Sequence, residues 1–161
     1  MSVFPITSKG YAKLEEEIKF LKTVARPKVV QAIAQAREFG DLSENAEYHE
    51  ARKQQSFIEG RIIDLEDKVA RAQVIDVAKL SGQKVMFGAT VMLADCNTDE
   101  EVSYMIVGEY EADITKKLIS VASPLARAVI GKTSGDIVEV SSPKGKKQYE
   151  ILQVGYVDYN I

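Results

Sequence analysis

Tryptophan is absent from the 161 residues, cysteine and histidine occur once each, as Cys96 and His49, and proline only four times. Each scarcity excludes something. With Cys96 alone no internal disulfide is possible, which removes the secreted disulfide scaffolds and favours a reducing compartment. One His and one Cys rule out the usual His/Cys zinc sites and argue against a Ser-His-Asp or Cys-His enzyme. No apolar run approaches the roughly 18 residues of a membrane-spanning helix, and Met1 to Gly10 has no signal-peptide core, so a cytoplasmic protein without a membrane partner is expected. A surplus of positive charge is missing too: 21 Lys and Arg against 24 Asp and Glu give a net charge of −3, without the broad basic surface of an autonomous duplex binder. Chemistry in this chain has to rest on carboxylates.

What is present is ample core material, with 45% hydrophobic and 28% charged residues, enough for one ordinary domain or two small ones and against disorder. From Ser8 to about Ala72 the composition favours helix, rich in Ala, Glu, Lys, Gln and Arg. Apolar positions run Tyr11, Leu14, Ile18, Leu21, Ala25, Val29, Ile33, Ala36 in one stretch and Ala51, Gln55, Ile58, Ile62, Leu65, Val69, Ala72 in the next. The second series alternates steps of four and three, as a heptad does, whereas the first carries one extra residue beside Pro27, where a kink or short break is expected. Two such amphipathic helices joined by a turn at residues 39–43 predict an antiparallel coiled-coil hairpin, with Gln55 as a polar member of the seam. An arm of about 30 residues reaches roughly 45 Å.

After Asp76 the period shortens. Residues 84–93 alternate, with Val85, Phe87, Ala89, Val91 and Leu93 on one face, and residues 101–107 place Val102, Tyr104 and Ile106 together. Asp95 to Asp99 reads as a hairpin turn, and residues 136–140 and 148–154 read as strands joined through Ser142-Pro143-Lys144-Gly145. Ser123, Pro124 and Gly131 have the cap, first-turn and stop positions of a short helix. The expected fold is α+β: residues 1–76 as the hairpin, then residues 77–161 as an antiparallel sheet domain with a short helix, the two joined by a linker near 75–82.

The most unusual composition lies between the helices, where residues 37–50 hold five carboxylates and one arginine. One reading is structural: Asp41 and Glu44 form a D-x-x-E capping arrangement that starts the second helix, and acids suit its dipole. The other is functional, a magnesium or acid-base pair. Magnesium wants six oxygens, so two exposed carboxylates only complete a site that another macromolecule supplies. Arg37 and Arg52 flank this turn, either as solvated helix arginines paired with Glu38 or Glu47 or as phosphate contacts. Tyr48 and Phe39 either stack on a base or staple the turn, with the staple favoured, and His49 and Cys96 read as a surface histidine and a loop thiol.

Gly40-Asp41-Leu42-Ser43-Glu44-Asn45-Ala46-Glu47-Tyr48 resembles the tip signature of the Gre family of bacterial transcript cleavage factors, in its GreA branch. Residues 120–132, followed by Gly135-Asp136-Ile137-Val138, resemble a second signature of the same family, and the likeness covers nearly the whole chain. The resemblance implies an FKBP-like second domain that docks at the rim of the RNA polymerase secondary channel while the coiled coil enters it. It implies further that Asp41 and Glu44 help hold a catalytic Mg2+ only within that complex, and that Arg37 and Arg52 contact the nascent RNA 3' end. Ser123, Pro124, Glu111 and Asp113 fall in the docking region by the same likeness, and no small-molecule substrate is implied. The factor would then be no enzyme by itself but a monomeric donor of carboxylates to the polymerase active centre. A Gre-like inhibitor of the channel and an FKBP-like prolyl isomerase or chaperone are the alternatives. The tail from Tyr156 to Ile161 runs past the usual end of the family and is read as a strand extension, a frayed end or a contact with another chain.

Overall fold

The computed structural model describes residues 2–158. Its elements are β1 (Phe4–Thr7), α1 (Ser8–Phe20), a π-helical turn (Leu21–Ala25), α2 (Arg26–Arg37), α3 (Ala46–Arg71), β2 (Ala72–Ile75), β3 (Thr90–Asp95), β4 (Glu101–Val107), β5 (Leu118–Ser120), α4 (Pro124–Val129), β6 (Ile137–Ser142) and β7 (Gly145–Gly155). Short 3-10 turns at Val77–Lys79 and Ile114–Lys116 complete the order.

Contacts divide the chain into two units, Tyr11–Ala72 and Ser2–Gly10 with Gln73 onward. Residues 2–10, assigned by sequence to the hairpin, therefore pack with the second unit. The reason is local pairing: β1 and β2 form a two-stranded sheet, and Ile6 and Thr7 are fully buried. The stretch read as a linker is equally built in, since Asp76 caps the 3-10 turn that follows it and Val77 is buried against Met105, Val107 and Leu118.

In the first unit the predicted stripes meet as a helical hairpin. Leu21, Ile62 and Leu65 form one buried cluster with Leu14, Ile18, Ala25 and Ile58 around it, and Val29, Ile33 and Ala51 form a second. The extra residue does not break the helix. It is absorbed by the π turn, where the Arg26 amide donates to the Leu21 carbonyl, one residue further back than in an α-helix. The wider turn keeps Leu21 and Val29 on the same buried face and sits just ahead of Pro27, which has no amide hydrogen to give the ladder. Ion pairs flank the seam: Arg26 grips Glu59 through two bonds of 2.8 Å, Arg61 grips Glu17 at 2.9 and 3.1 Å, and Lys22 meets Glu66 at 3.1 Å. Solvated pairs add little stability, but two-pronged Arg-carboxylate geometry tolerates only one alignment of the helices.

The second unit carries a five-stranded sheet in the order β5-β4-β3-β7-β6. It is mixed rather than antiparallel, because β5 runs parallel to β4, pairing Met105 with Leu118 and Val107 with Ser120. A strand of three residues is too short to show alternation in sequence. The expected strand over residues 84–93 is also shorter, starting at Thr90, since Gly88 turns the chain at φ +88° and Lys84 makes only an isolated bridge to Thr133. Its alternation still reports burial: Val85, Ala89, Val91 and Leu93 join Ile106, Val138 and Ile151 in the main core. The short helix forms as read, with Ser123 accepting from the Ala126 amide, Pro124 in the first turn and Gly131 at φ +87°. Its Ala126 and Val129 complete that core. The Asp95 turn also forms, its carboxylate accepting from the Asn97 and Thr98 amides. At the chain end Tyr156 donates its hydroxyl to the Lys84 carbonyl at 2.6 Å, while the reading of Tyr159 and Ile161 lies outside the described residues.

Candidate functional site

The acidic turn occupies residues 38–45, between the end of α2 and the start of α3. Its ends are held by backbone and side-chain bonds. The amides of Phe39 and Gly40 donate to the carbonyls of Ala36 and Arg37 at 3.2 and 3.3 Å, and Gly40 then reverses the chain at φ +100°. At the other end Asn45 works in both directions: its Oδ1 accepts from the Tyr48 amide at 3.0 Å and its Nδ2 donates to the Ala36 carbonyl at 2.6 Å. The helix cap is thus Asn45, which corrects the expected Asp41 and Glu44 capping pair. Three candidate caps, Asp41, Ser43 and Asn45, stand in sequence before Ala46, and only the length of the turn selects among them.

Freed from capping, Asp41 forms a turn of its own. Its Oδ1 accepts from the Ser43 hydroxyl at 2.7 Å and from the Ser43 amide at 3.0 Å. These bonds, the hydroxyl first, hold the Asp41 carboxyl below the usual carboxylate range. Glu44 is exposed and makes no hydrogen bond or ion pair among the described residues. Asp41 and Glu44 line one shallow depression together with Phe39, Asn45, Ala46 and Glu47. Their hard oxygen donors suit magnesium, and Asp41 Oδ2 has no partner among the described residues, but two carboxylates fall short of a six-oxygen shell. Among the described residues no group of three or more His, Cys, Asp or Glu converges to complete one.

The aromatic residues divide their roles. Tyr48 is half-buried against the Val29, Ile33 and Ala51 cluster and is the staple of the turn, whereas Phe39 is 72% exposed. His49 is tied to the turn as well, its Nε2 lying 3.3 Å from the Ser43 carbonyl, a partner that sequence did not suggest. Arg37 ends α2 with its guanidinium 6.0 Å from the centre of the Tyr48 ring, and Arg52 is exposed on α3. Among the described residues neither arginine forms an ion pair, so the expected partners Glu38 and Glu47 are not used.

The residues singled out in the second unit have structural duties. Ser123 caps α4, with Pro124 exposed beside it. Asp113 caps a 3-10 turn, and the Thr115 hydroxyl and amide keep its carboxyl below the ordinary range. Glu111 is not a solvated loop acid: it accepts from the Thr7 hydroxyl, from the Thr7 amide at 3.0 Å and from the Gly108 amide at 2.8 Å. It thereby fastens β1 to the loop after β4.

A helical hairpin ending in a braced acidic turn, followed by a small mixed-sheet unit, matches two family models in order. Residues 4–74 match the model described as transcription elongation factor, N-terminal, and residues 80–156 that of transcription elongation factor, GreA/GreB, C-terminal. The chain belongs to the GreA/GreB family of transcription elongation factors. It is 61% identical over 158 residues to a transcription elongation factor GreA of Rickettsia prowazekii, covering 98% of each chain. It is 60% identical over 157 residues to one of Phenylobacterium zucineum, covering 98% of this chain and 100% of that one. Among solved structures it is similar to the GreA factor homolog Gfh1 of Thermus thermophilus, at 27% identity and TM-score 0.43 over 96% of this chain and 99% of that one. A GreA/GreB factor of Nitrosomonas europaea is similar at 24% identity and TM-score 0.42, over 95% and 99%. No helix among the described residues is long and apolar enough to cross a membrane.

Proposed function

We propose that this chain is an accessory factor of bacterial RNA polymerase in the cytoplasm, acting as a monomer that stimulates the polymerase's own cleavage of backtracked RNA near its 3' end. The observation that carries this reading is the braced turn, in which two exposed carboxylates stand on a loop fixed at both ends while neither is needed to start a helix. A loop held this way presents charge at a defined place without reorganising, the condition for acting in a partner's active centre.

In this reading the hairpin enters the secondary channel and brings Asp41 and Glu44 to the polymerase's active centre. Asp41 Oδ2 and the Glu44 carboxylate would hold Mg2+ there, an ion that supplies charge neutralisation and a more acidic bound water. Ser43 orients the Asp41 carboxylate, Asn45 fixes the loop, and Arg37 and Arg52 offer unpaired cations to RNA phosphates. Ser123, Pro124 and Asp113 provide the docking surface of the second unit, and Glu111 contributes by holding the loop that precedes Asp113.

The test is a cleavage assay on stalled, backtracked elongation complexes. Addition of the protein should shorten the RNA from its 3' end, and the protein with RNA and magnesium but without polymerase should leave the RNA intact. Turnover in the absence of polymerase would contradict the accessory role.

A further inference from the structure

Phe39 is the one large apolar side chain lining the depression that holds Asp41 and Glu44, and 72% of its surface is exposed. Among the described residues none packs on its ring or holds it in an aromatic pair. The staple of the turn is Tyr48, buried against Val29, Ile33 and Ala51, and Phe39 makes no ring contact among the described residues. Its backbone, in contrast, is fixed: the Phe39 amide closes the last turn of α2 on Ala36, and Gly40 at φ +100° turns the following chain away. The ring is therefore anchored at its backbone beside the two acids and left free to meet a partner.

The charge around it limits what fits there. Asp41, Glu44 and Glu47 line the same depression, so a phosphate entering it without a metal is repelled, whereas a flat uncharged ring is not. A nucleobase has that chemistry, and aromatic faces are the usual platforms for unpaired bases. We propose that Phe39 stacks on the 3'-terminal base of the extruded RNA and so sets the distance of the scissile phosphate from Asp41 and Glu44. This inference rests on the cleavage role proposed above. In it the ring touches substrate, while the carboxylates keep their own role.

The experiment compares the parent protein with Phe39→Ala, Phe39→Leu and Phe39→Trp, all as full chains at saturating concentration on backtracked complexes. RNAs end in either a normal or an abasic 3' nucleotide. Phe39→Ala should slow cleavage about tenfold, the size of one base-aromatic stack, Phe39→Leu should be as slow, and Phe39→Trp should restore the rate. With the abasic RNA the parent and Phe39→Ala should cleave equally. Parental cleavage by Phe39→Leu, or an undiminished Phe39→Ala defect on abasic RNA, would overturn stacking and assign the ring to an apolar surface of the polymerase. Asp41→Ala in the same assay separates the two levels. If it cleaves like the parent, the cleavage role fails and the stacking proposal with it. If it is inactive while Phe39→Ala is parental, stacking alone fails.

Discussion

Asn45 Nδ2 donates to the Ala36 carbonyl at 2.6 Å across the mouth of the acidic turn, so a single side chain joins the last turn of one helix to the first of the next. The same amide group caps the second helix through the Tyr48 amide. The loop that carries Asp41 and Glu44 is closed by this residue rather than by the acids themselves. Asn45→Ala should remove about 1 kcal/mol of cap stability and release the tie to Ala36. Faster hydrogen exchange at the Tyr48 amide, with the amides near Ile62 and Leu65 unchanged, is the expected pattern. Asn45→Asp, which keeps the acceptor and loses the donor, should recover the cap but not the tie.

Asp41 owes its lowered carboxyl to Ser43, the hydroxyl bond before the amide bond. A carboxyl depressed in the folded state is favoured over its unfolded form above the unfolded value, and that preference is lost as pH falls through the folded value. Asp41 therefore stays ionised further into acid than an ordinary aspartate. In a carboxyl-carbon NMR titration, Ser43→Ala should move the Asp41 midpoint upward, toward the ordinary range. An unchanged midpoint would show that the amide bond alone sets the shift.

Glu111 and Gly10 meet at the joint between β1 and the loop after β4. A Cβ placed on Gly10 would run into the Glu111 carboxylate, and Glu111 accepts every bond that Thr7 offers there. Glu111→Ala leaves the donors of Thr7 and Gly108 without an acceptor and should destabilise the second unit by at least about 2 kcal/mol. Gly10→Ala should lose stability by displacing the same carboxylate. In both variants the amides of Ile6 and Thr7 should exchange early, before those of Ile106 and Ile151.

Much of this was legible in sequence where a period or a short-range cap decides the structure. The heptad spacing placed Leu21, Ile62 and Leu65 in the seam, and Ser123, Pro124 and Gly131 marked α4 to the residue. The surplus residue near Pro27 was visible too, but not its remedy, because a π turn and a broken helix leave the same mark on the apolar spacing. What was hidden depends on partners far apart in the chain: β1 on β2, the parallel β5, and Glu111 on Thr7, 104 residues away. At the site, the two acids stood out by composition. The cap is ambiguous in sequence because Asp41, Ser43 and Asn45 all satisfy the local rule, and what selects among them is the length of the turn, which the bond from Asn45 to Ala36 closes.

The π turn gives a prediction of its own. Deleting Lys28, exposed between Ala25 and Val29, should restore the unbroken alternation of threes and fours but close the π turn and push the Pro27 ring against the carbonyl a turn earlier, at a cost of about 3 kcal/mol. Adding Pro27→Ala to the deletion should return the midpoint of thermal unfolding to the parental value or above it. Helicity by circular dichroism checks that the hairpin persists in both variants.

Asp41→Ala and Glu44→Ala in the backtracked-complex assay, at saturating factor, decide whether the two tip carboxylates act in the polymerase's centre rather than in this protein's fold. Because Asn45 is the cap, both variants should unfold at the parental temperature and bind polymerase as the parent does, yet lose stimulated RNA cleavage. Cleavage at the parental rate by either variant, with binding intact, would contradict the account.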